Sequence, residues 1–208
     1  MYYLSKNKEN GFTLVELLIA MTIGLIILAA LSSTFLMQRK TYDDQEQIVE
    51  MVQNARAAMD MMSREIRMAG YDPSGLADAG IVSATSNSIN FTLDITDDAG
   101  TGPPDEDTSD SNEDITYSLY TGDGIQKLGR KSTSTAVNQP VAEYIQSLEF
   151  KYWDDSVTEY NESTMLSRPV ADPANIRVIQ ITITARTADG SHTPYTLTSY
   201  ITPRNLAL

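Results

Sequence analysis

At 208 residues the chain is long enough for one domain of ordinary size plus an additional element. Its formal net charge of -13 argues against a nucleic-acid partner, because phosphate binding needs a basic face. There is no cysteine and a single histidine, His192, which excludes disulfide frameworks, thiolate zinc sites, cysteine nucleophiles and a multi-histidine metal site within one chain.

The first predicted element is an apolar helix. Leu17 to Met37 reads LLIAMTIGLIILAALSSTFLM, an uncharged run of about the 20 residues that cross a bilayer core at 1.5 Å per residue. Gly24, Ala29 and Ala30 permit close helix approach, and Thr22, Ser32, Ser33 and Thr34 can bond back to the helix backbone. Lys6 and Lys8, ahead of the span, orient the N-terminus toward the cytoplasm. A secretory signal peptide fits poorly, since its apolar core is shorter and a small-residue cleavage site follows it. A plain anchor fits the length but not Glu16, because an acid inside a spanning helix costs roughly 2.5–3.5 kcal/mol on insertion scales. That cost implies a partner for the carboxylate.

Beyond Met37 the chain turns polar without a helix breaker; there is no proline from Met1 to Tyr71. Apolar residues recur at Ile48, Val52, Ala55, Met59, Met62, Ile66 and Ala69, the stripe of one helix face. Glu50, Asn54, Arg56, Asp60, Arg64 and Arg67 lie away from it, Gly70 is a stop residue, and Pro73 follows. The pattern predicts one helix over residues 12–69, about 87 Å long. Because the stripe is short and rich in Met, it favours packing on an attached domain over a coiled coil.

Residues 71–208 carry strand signals after the loop Tyr71-Asp72-Pro73-Ser74-Gly75. Strands are predicted at 88–95, 114–120, 125–128 (ended by Gly129), 143–153, 176–187 and 193–202. The stretch from Glu143 could instead begin as a helical turn. Runs of strands after one long helix give an α+β class with an antiparallel sheet. Phe150, Tyr152 and Trp153 are expected to fill the sheet core.

The acidic stretch 96–114, TDDAGTGPPDEDTSDSN followed by Glu113 and Asp114, is expected to be a solvated, mobile loop with no cofactor. Its clustered oxygens offer the alternative of a Ca²⁺ site, although the EF-hand spacing is absent. His192, between Ser191 and Thr193, is expected in a solvated loop. No glycine-rich phosphate loop, nucleophile elbow or paired acids in a cleft points to an enzyme, so no catalytic residue is assigned.

Gly11-Phe12-Thr13-Leu14-Val15-Glu16 and the apolar residues after it resemble the prepilin cleavage and methylation signal of type IV pilins and secretion pseudopilins. The resemblance implies that a prepilin peptidase cuts between Gly11 and Phe12, that Phe12 becomes the N-methylated terminus, and that Glu16 serves subunit assembly. Glu16 could then pair with the new amine of its own chain, one turn away, or with that of a neighbour. The segments Glu113-Asp114-Ile115-Thr116-Tyr117, Ile176-Arg177-Val178, Thr187-Ala188-Asp189 and Pro203-Arg204-Asn205-Leu206 are similar to PilW-type minor pilins.

That resemblance implies a pilin-like fold: a leader at 1–11, a transmembrane and filament-core half-helix at 12–37, an amphipathic half at 38–70, and a β-rich domain at 71–208. It also implies a minor pilin that helps initiate a type IV pilus or forms part of its tip. Such a protein is held first in the bacterial inner membrane and later in the periplasm or fibre. Its partners would be other minor and major pilins, the prepilin peptidase, the inner-membrane assembly platform and a tip adhesin. A GspJ-type pseudopilin of type II secretion is the nearest alternative, and a membrane-anchored periplasmic binding domain is a more distant one.

Overall fold

The computed structural model describes residues 11–97 and 99–206; residues 1–10 of the predicted leader, with Lys6 and Lys8, Asp98 of the acidic stretch and the last two residues lie outside them. Helix α1 runs from Leu14 to Met68, close to the predicted 12–69. The chain divides into two units, Met1–Glu46 and Gln47–Leu208.

In the described part of the first unit, residues 11–43 are all exposed, including every large apolar side chain from Leu14 to Met37. Hydroxyls here do not compete with the helix. Thr22, Ser33, Thr34 and Thr41 donate to the carbonyls four residues earlier, at 2.8–3.1 Å.

The second unit is built on most of the predicted stripe: Ala55, Met59, Met62, Ile66 and Ala69 are buried in one core with residues of two antiparallel sheets, joined by Met51 and Ala58, whereas Val52 is half-buried and Ile48 is exposed. Strands β1 (Ile81–Ala84), β2 (Ser88–Thr92), β3 (Asp114–Gly122), β4 (Ile125–Lys131) and β5 (Gln139–Glu143) form the first sheet in chain order. Strands β6 (Ile145–Trp153), β7 (Val178–Ala185) and β8 (Tyr195–Ile201) form the second. All neighbours are antiparallel, so the α+β expectation holds, with two sheets where one was expected.

The division between sheets is local. Glu143 ends β5 and Ile145 begins β6, and Tyr144 between them has φ 57°, a left-handed kink that breaks the ladder. The predicted strand 143–153 is therefore the end of one strand plus the whole of another, and no helical turn starts it. The kinked Tyr144 is held by its carbonyl, which accepts from Arg186 N–H, and by the Arg186 guanidinium over its ring at 5.7 Å.

Strand β4 corrects a second expectation. It continues through Gly129 to Lys131, because the Tyr120 ring of β3 lies across the glycine; a Cβ there would fall 2.7 Å from Tyr120 Cδ1. Glycine in this strand is a seat for an aromatic side chain and not a stop. Strands β1 and β5 were not predicted. The first is four residues with a bulge, and the second contains Pro140, which is admissible only because β5 is an edge. The Asp123-Gly124 turn between β3 and β4 has φ of 56° and 74°, the two positive values of a tight primed hairpin.

Phe150 and Tyr152 fill the core as expected, and the Tyr152 hydroxyl donates to Thr85 O at 2.9 Å, tying the second sheet to the first hairpin. Trp153 is one residue on and so faces the opposite side of β6. It is buried against Tyr160 and Tyr200, with Nε1 donating to Asn161 O and Thr164 Oγ1, both at 3.2 Å.

An ion pair connects the helix to the first sheet. Arg130 Nε of β4 lies 2.9 Å from Glu65 Oε2, and the Tyr117 hydroxyl of β3 donates to the same oxygen at 2.6 Å. Burial, reinforced by the Glu65 charge, pushes the Tyr117 phenol far above its ordinary range, so it stays a donor. Glu65→Ala should destabilise the fold by roughly 3 kcal/mol, because it strands the nearly buried Arg130 guanidinium. Glu65→Gln should cost less, and urea melts of the detergent-solubilised chain check the order.

The helix ends as predicted at Gly70, whose φ is 77° and whose N–H donates to Thr92 O at 2.9 Å. A Cβ there would also meet Leu206 Cδ2 at 2.6 Å, whereas Gly75, with a similar φ of 73°, has open space. Gly75→Ala should cost about 1–2 kcal/mol from backbone strain alone. Gly70→Ala should cost more, and equal unfolding midpoints for the two would show that Leu206 adds nothing.

Candidate functional site

The three residues singled out in the sequence, Gly11, Phe12 and Glu16, lie together at the start of α1. Gly11 has nothing within 4 Å of where a Cβ would sit, and Phe12 is 88% exposed, so the peptide bond joining them is accessible in an irregular segment. Helical geometry begins only at Leu14.

Thr13 is the helix N-cap, a role that was readable in the Thr13-Leu14-Val15-Glu16 pattern but was not among the predicted sites. Its hydroxyl accepts from the Glu16 backbone N–H at 3.3 Å, while Glu16 Oε2 accepts from Thr13 N–H at 2.9 Å and from the Thr13 hydroxyl at 2.8 Å. This is a complete capping box, in which two otherwise orphaned backbone donors are satisfied reciprocally. Glu16 therefore has a partner within its own chain, and a carboxylate in the first turn also complements the helix dipole. Every polar group in the box survives a cut between Gly11 and Phe12, because Thr13 keeps its amide N–H.

Elsewhere the candidates separate. His192 lies in the β7–β8 turn, as expected, with Nδ1 2.7 Å from the Ser191 hydroxyl. Asp189 accepts from the Ser191 N–H at 3.0 Å and the Thr187 hydroxyl at 2.8 Å. Those bonds hold its carboxyl at about 2, the Ser191 backbone N–H acting most strongly. The acid thus organises a turn. In the acidic stretch, the carboxylate oxygens of Asp105, Asp107 and Asp110 approach within 4.8 Å of one another.

Residues 6–32 match the prokaryotic N-terminal methylation motif, a span that contains Gly11, Phe12 and Glu16. Residues 44–203, well over half of the chain, match the family described as prepilin peptidase-dependent protein B. The chain belongs to the prepilin peptidase-dependent protein B family. Among solved structures it is similar to a type IV-like pilin from Thermus thermophilus, at 10% identity and a TM-score of 0.42, covering 75% of this chain and 98% of that one. No curated protein matches.

As a member of the prepilin peptidase-dependent protein B family, the chain joins a methylation signal to a helix long and apolar enough to cross a membrane. Signal and span together mark a membrane-anchored protein. The capping box is the local structure nearest the Gly11–Phe12 bond. Thr13→Val should remove the cap at a cost of about 1 kcal/mol. Amide exchange at Glu16 and Leu17 in detergent micelles should then speed up by about fivefold, the factor that 1 kcal/mol corresponds to.

Proposed function

We propose that this protein is a minor pilin of the PilW type, a structural subunit that helps initiate a type IV pilus and forms part of its tip complex. The observation that carries the reading is the pairing of an exposed apolar helix with an acid at its first turn. The large apolar side chains from Leu14 to Met37 remain more than half exposed, so they require either lipid or the helices of neighbouring subunits. Among residues 14–37 the only charge is Glu16.

In this proposal the prepilin peptidase cuts between Gly11 and Phe12, and Phe12 is methylated at its new amine. A cation then lies beside Glu16 in a medium of low dielectric, where a compensated pair is far better than two separate charges. The capping box keeps Glu16 bonded during insertion, and the amine of an incoming subunit competes with Thr13 for it at assembly. Before assembly the protein is a single-pass inner-membrane subunit with its N-terminus cytoplasmic and residues 71–208 in the periplasm. Afterwards it enters the fibre through the assembly platform, beside other minor and major pilins and a tip adhesin.

Mass spectrometry of the native protein should find a chain starting at N-methylated Phe12; an intact Met1 would sink the proposal. Glu16→Ala should still enter the membrane yet be depleted from sheared filaments. Entry at the wild-type level would show that Glu16 is not the assembly contact. Deletion of the protein should reduce piliation. A deletion strain with normal pili and failed protein secretion would assign it to the GspJ-type pseudopilins instead.

A further inference from the structure

Two open sheets leave an edge at β1, β5, β6 and β8, and the first three are blunted. Strand β1 is four residues with a bulge, and its Ala84 carbonyl accepts from Val170 N–H at 2.9 Å. Strand β5 carries Pro140 and a register shift against β4. On β6, Phe150 N–H donates to Ser86 O and Leu166 N–H donates to Tyr152 O, both at 2.8 Å. Strand β8 has none of these protections. It pairs with β7 from Tyr195 to Ile201 without a register shift, and its sequence YTLTSYI contains no proline and no charge. Among the described residues its backbone bonds only to β7, which leaves an outer row of N–H and C=O groups open. The core-side Tyr195 and Leu197 stay half-buried at this edge. An edge this long, regular and uncharged is a template for a further strand.

The C-terminal end of β8 adds a charge preference. A cavity of about 460 Å³ there is lined by Arg67 of α1, Tyr200 of β8, and Thr202, Pro203 and Arg204 just beyond it. No acid is among them. Arg204 N–H donates to Arg67 O at 3.1 Å, so the two arginines stand on joined stretches of backbone. Among the described residues neither guanidinium has an ion-pair or hydrogen-bond partner, whereas Arg64, Arg130 and Arg168 each meet a carboxylate. Gln180 Nε2 donates to the Tyr200 hydroxyl at 2.7 Å, which leaves the phenolic proton for another acceptor. Two arginine forks and two hydroxyls without an acid are the complement of a carboxylate brought from outside.

We propose that β8 is the docking edge for an extended segment of a partner protein, which adds as an antiparallel strand and places a carboxylate in the Arg67–Arg204 cavity. Backbone pairing along Tyr195–Ile201 supplies affinity, and the arginines select the acidic segment. Because an antiparallel strand starts where β8 ends, the acid belongs at the N-terminal end of the incoming segment. Apolar residues on its inner face complete the cover over Tyr195 and Leu197.

The probe is a capped peptide of aspartates followed by alternating valine and threonine, titrated into the full chain in neutral detergent at low salt. Trp153, the single tryptophan, has its ring centroid 6.1 Å from that of Tyr200 and reports occupancy by fluorescence, while calorimetry gives the affinity. The peptide should bind and change the Trp153 emission. Asparagines in place of its aspartates, or Arg67→Gln with Arg204→Gln in the protein, should each weaken binding by at least about 10-fold. Both arginines are exposed, so the double variant should melt at the wild-type temperature. N-methylation of the peptide backbone, which removes donors without altering the protein, should abolish binding.

Failure of the aspartate peptide to bind would overturn the proposal. So would equal binding of the N-methylated peptide, equal binding of the asparagine peptide, or full affinity in the double variant. An equal Trp153 response to inorganic phosphate alone would reduce the cavity to a simple anion site and remove the docking strand.

Discussion

The burial of Ala55, Ala58, Met62 and Ile66 beneath two sheets constrains almost every other choice in residues 47–206. Full burial of side chains such as Met62 and Ile66 stabilises by about 1.5–3 kcal/mol each. The helix gives up one face to this contact, so the strands must present alternating apolar residues to it. Ile179, Ile181 and Ile183 of β7 and Phe150 and Tyr152 of β6 do so with a period of two. The kink at Tyr144 then lets one continuous run of chain serve two sheets around the same core.

Two glutamates on α1 illustrate how position decides the fate of the same side chain. Glu65 lies at the edge of the buried face, where its charge is met by Arg130 and its second role is to accept from Tyr117. Glu16 lies at the exposed start, where its own N-cap satisfies it through short local bonds. The first contact depends on residues more than fifty positions away, and the second on a residue three positions away. Only the second can be exchanged for an intermolecular partner without disturbing the core, which is why the proposed assembly contact falls there.

The acidic connection between β2 and β3 follows the same logic in reverse. Its charges are scattered over some twenty residues in sequence, and composition alone describes a solvated loop. Folding draws Asp94 and Glu113 out of water because Leu93 N–H must pair with Glu113 O and Asp94 N–H with Tyr71 O, which anchors both ends of the connection inside the domain. Backbone pairing thereby buries carboxylates that side-chain preference would leave exposed.

The sequence by itself determined what depends on neighbours in the chain: the helix and its stop at Gly70, the apolar span, the methylation signal around Gly11 and Phe12, and the alternation in β7. These are readable because helix period, strand period and capping all act over a few residues. Even there the Thr13–Glu16 box was legible and passed over. Tertiary structure decided what depends on distant partners. It extended β4 through Gly129 because a tyrosine from β3 covers it. It made Pro140 acceptable by placing its strand at an edge, and it turned Trp153 away from the core by one step of the pleat. It also selected Glu65 as the helix's charged tether, since only the folded sheet brings Arg130 and Tyr117 to it.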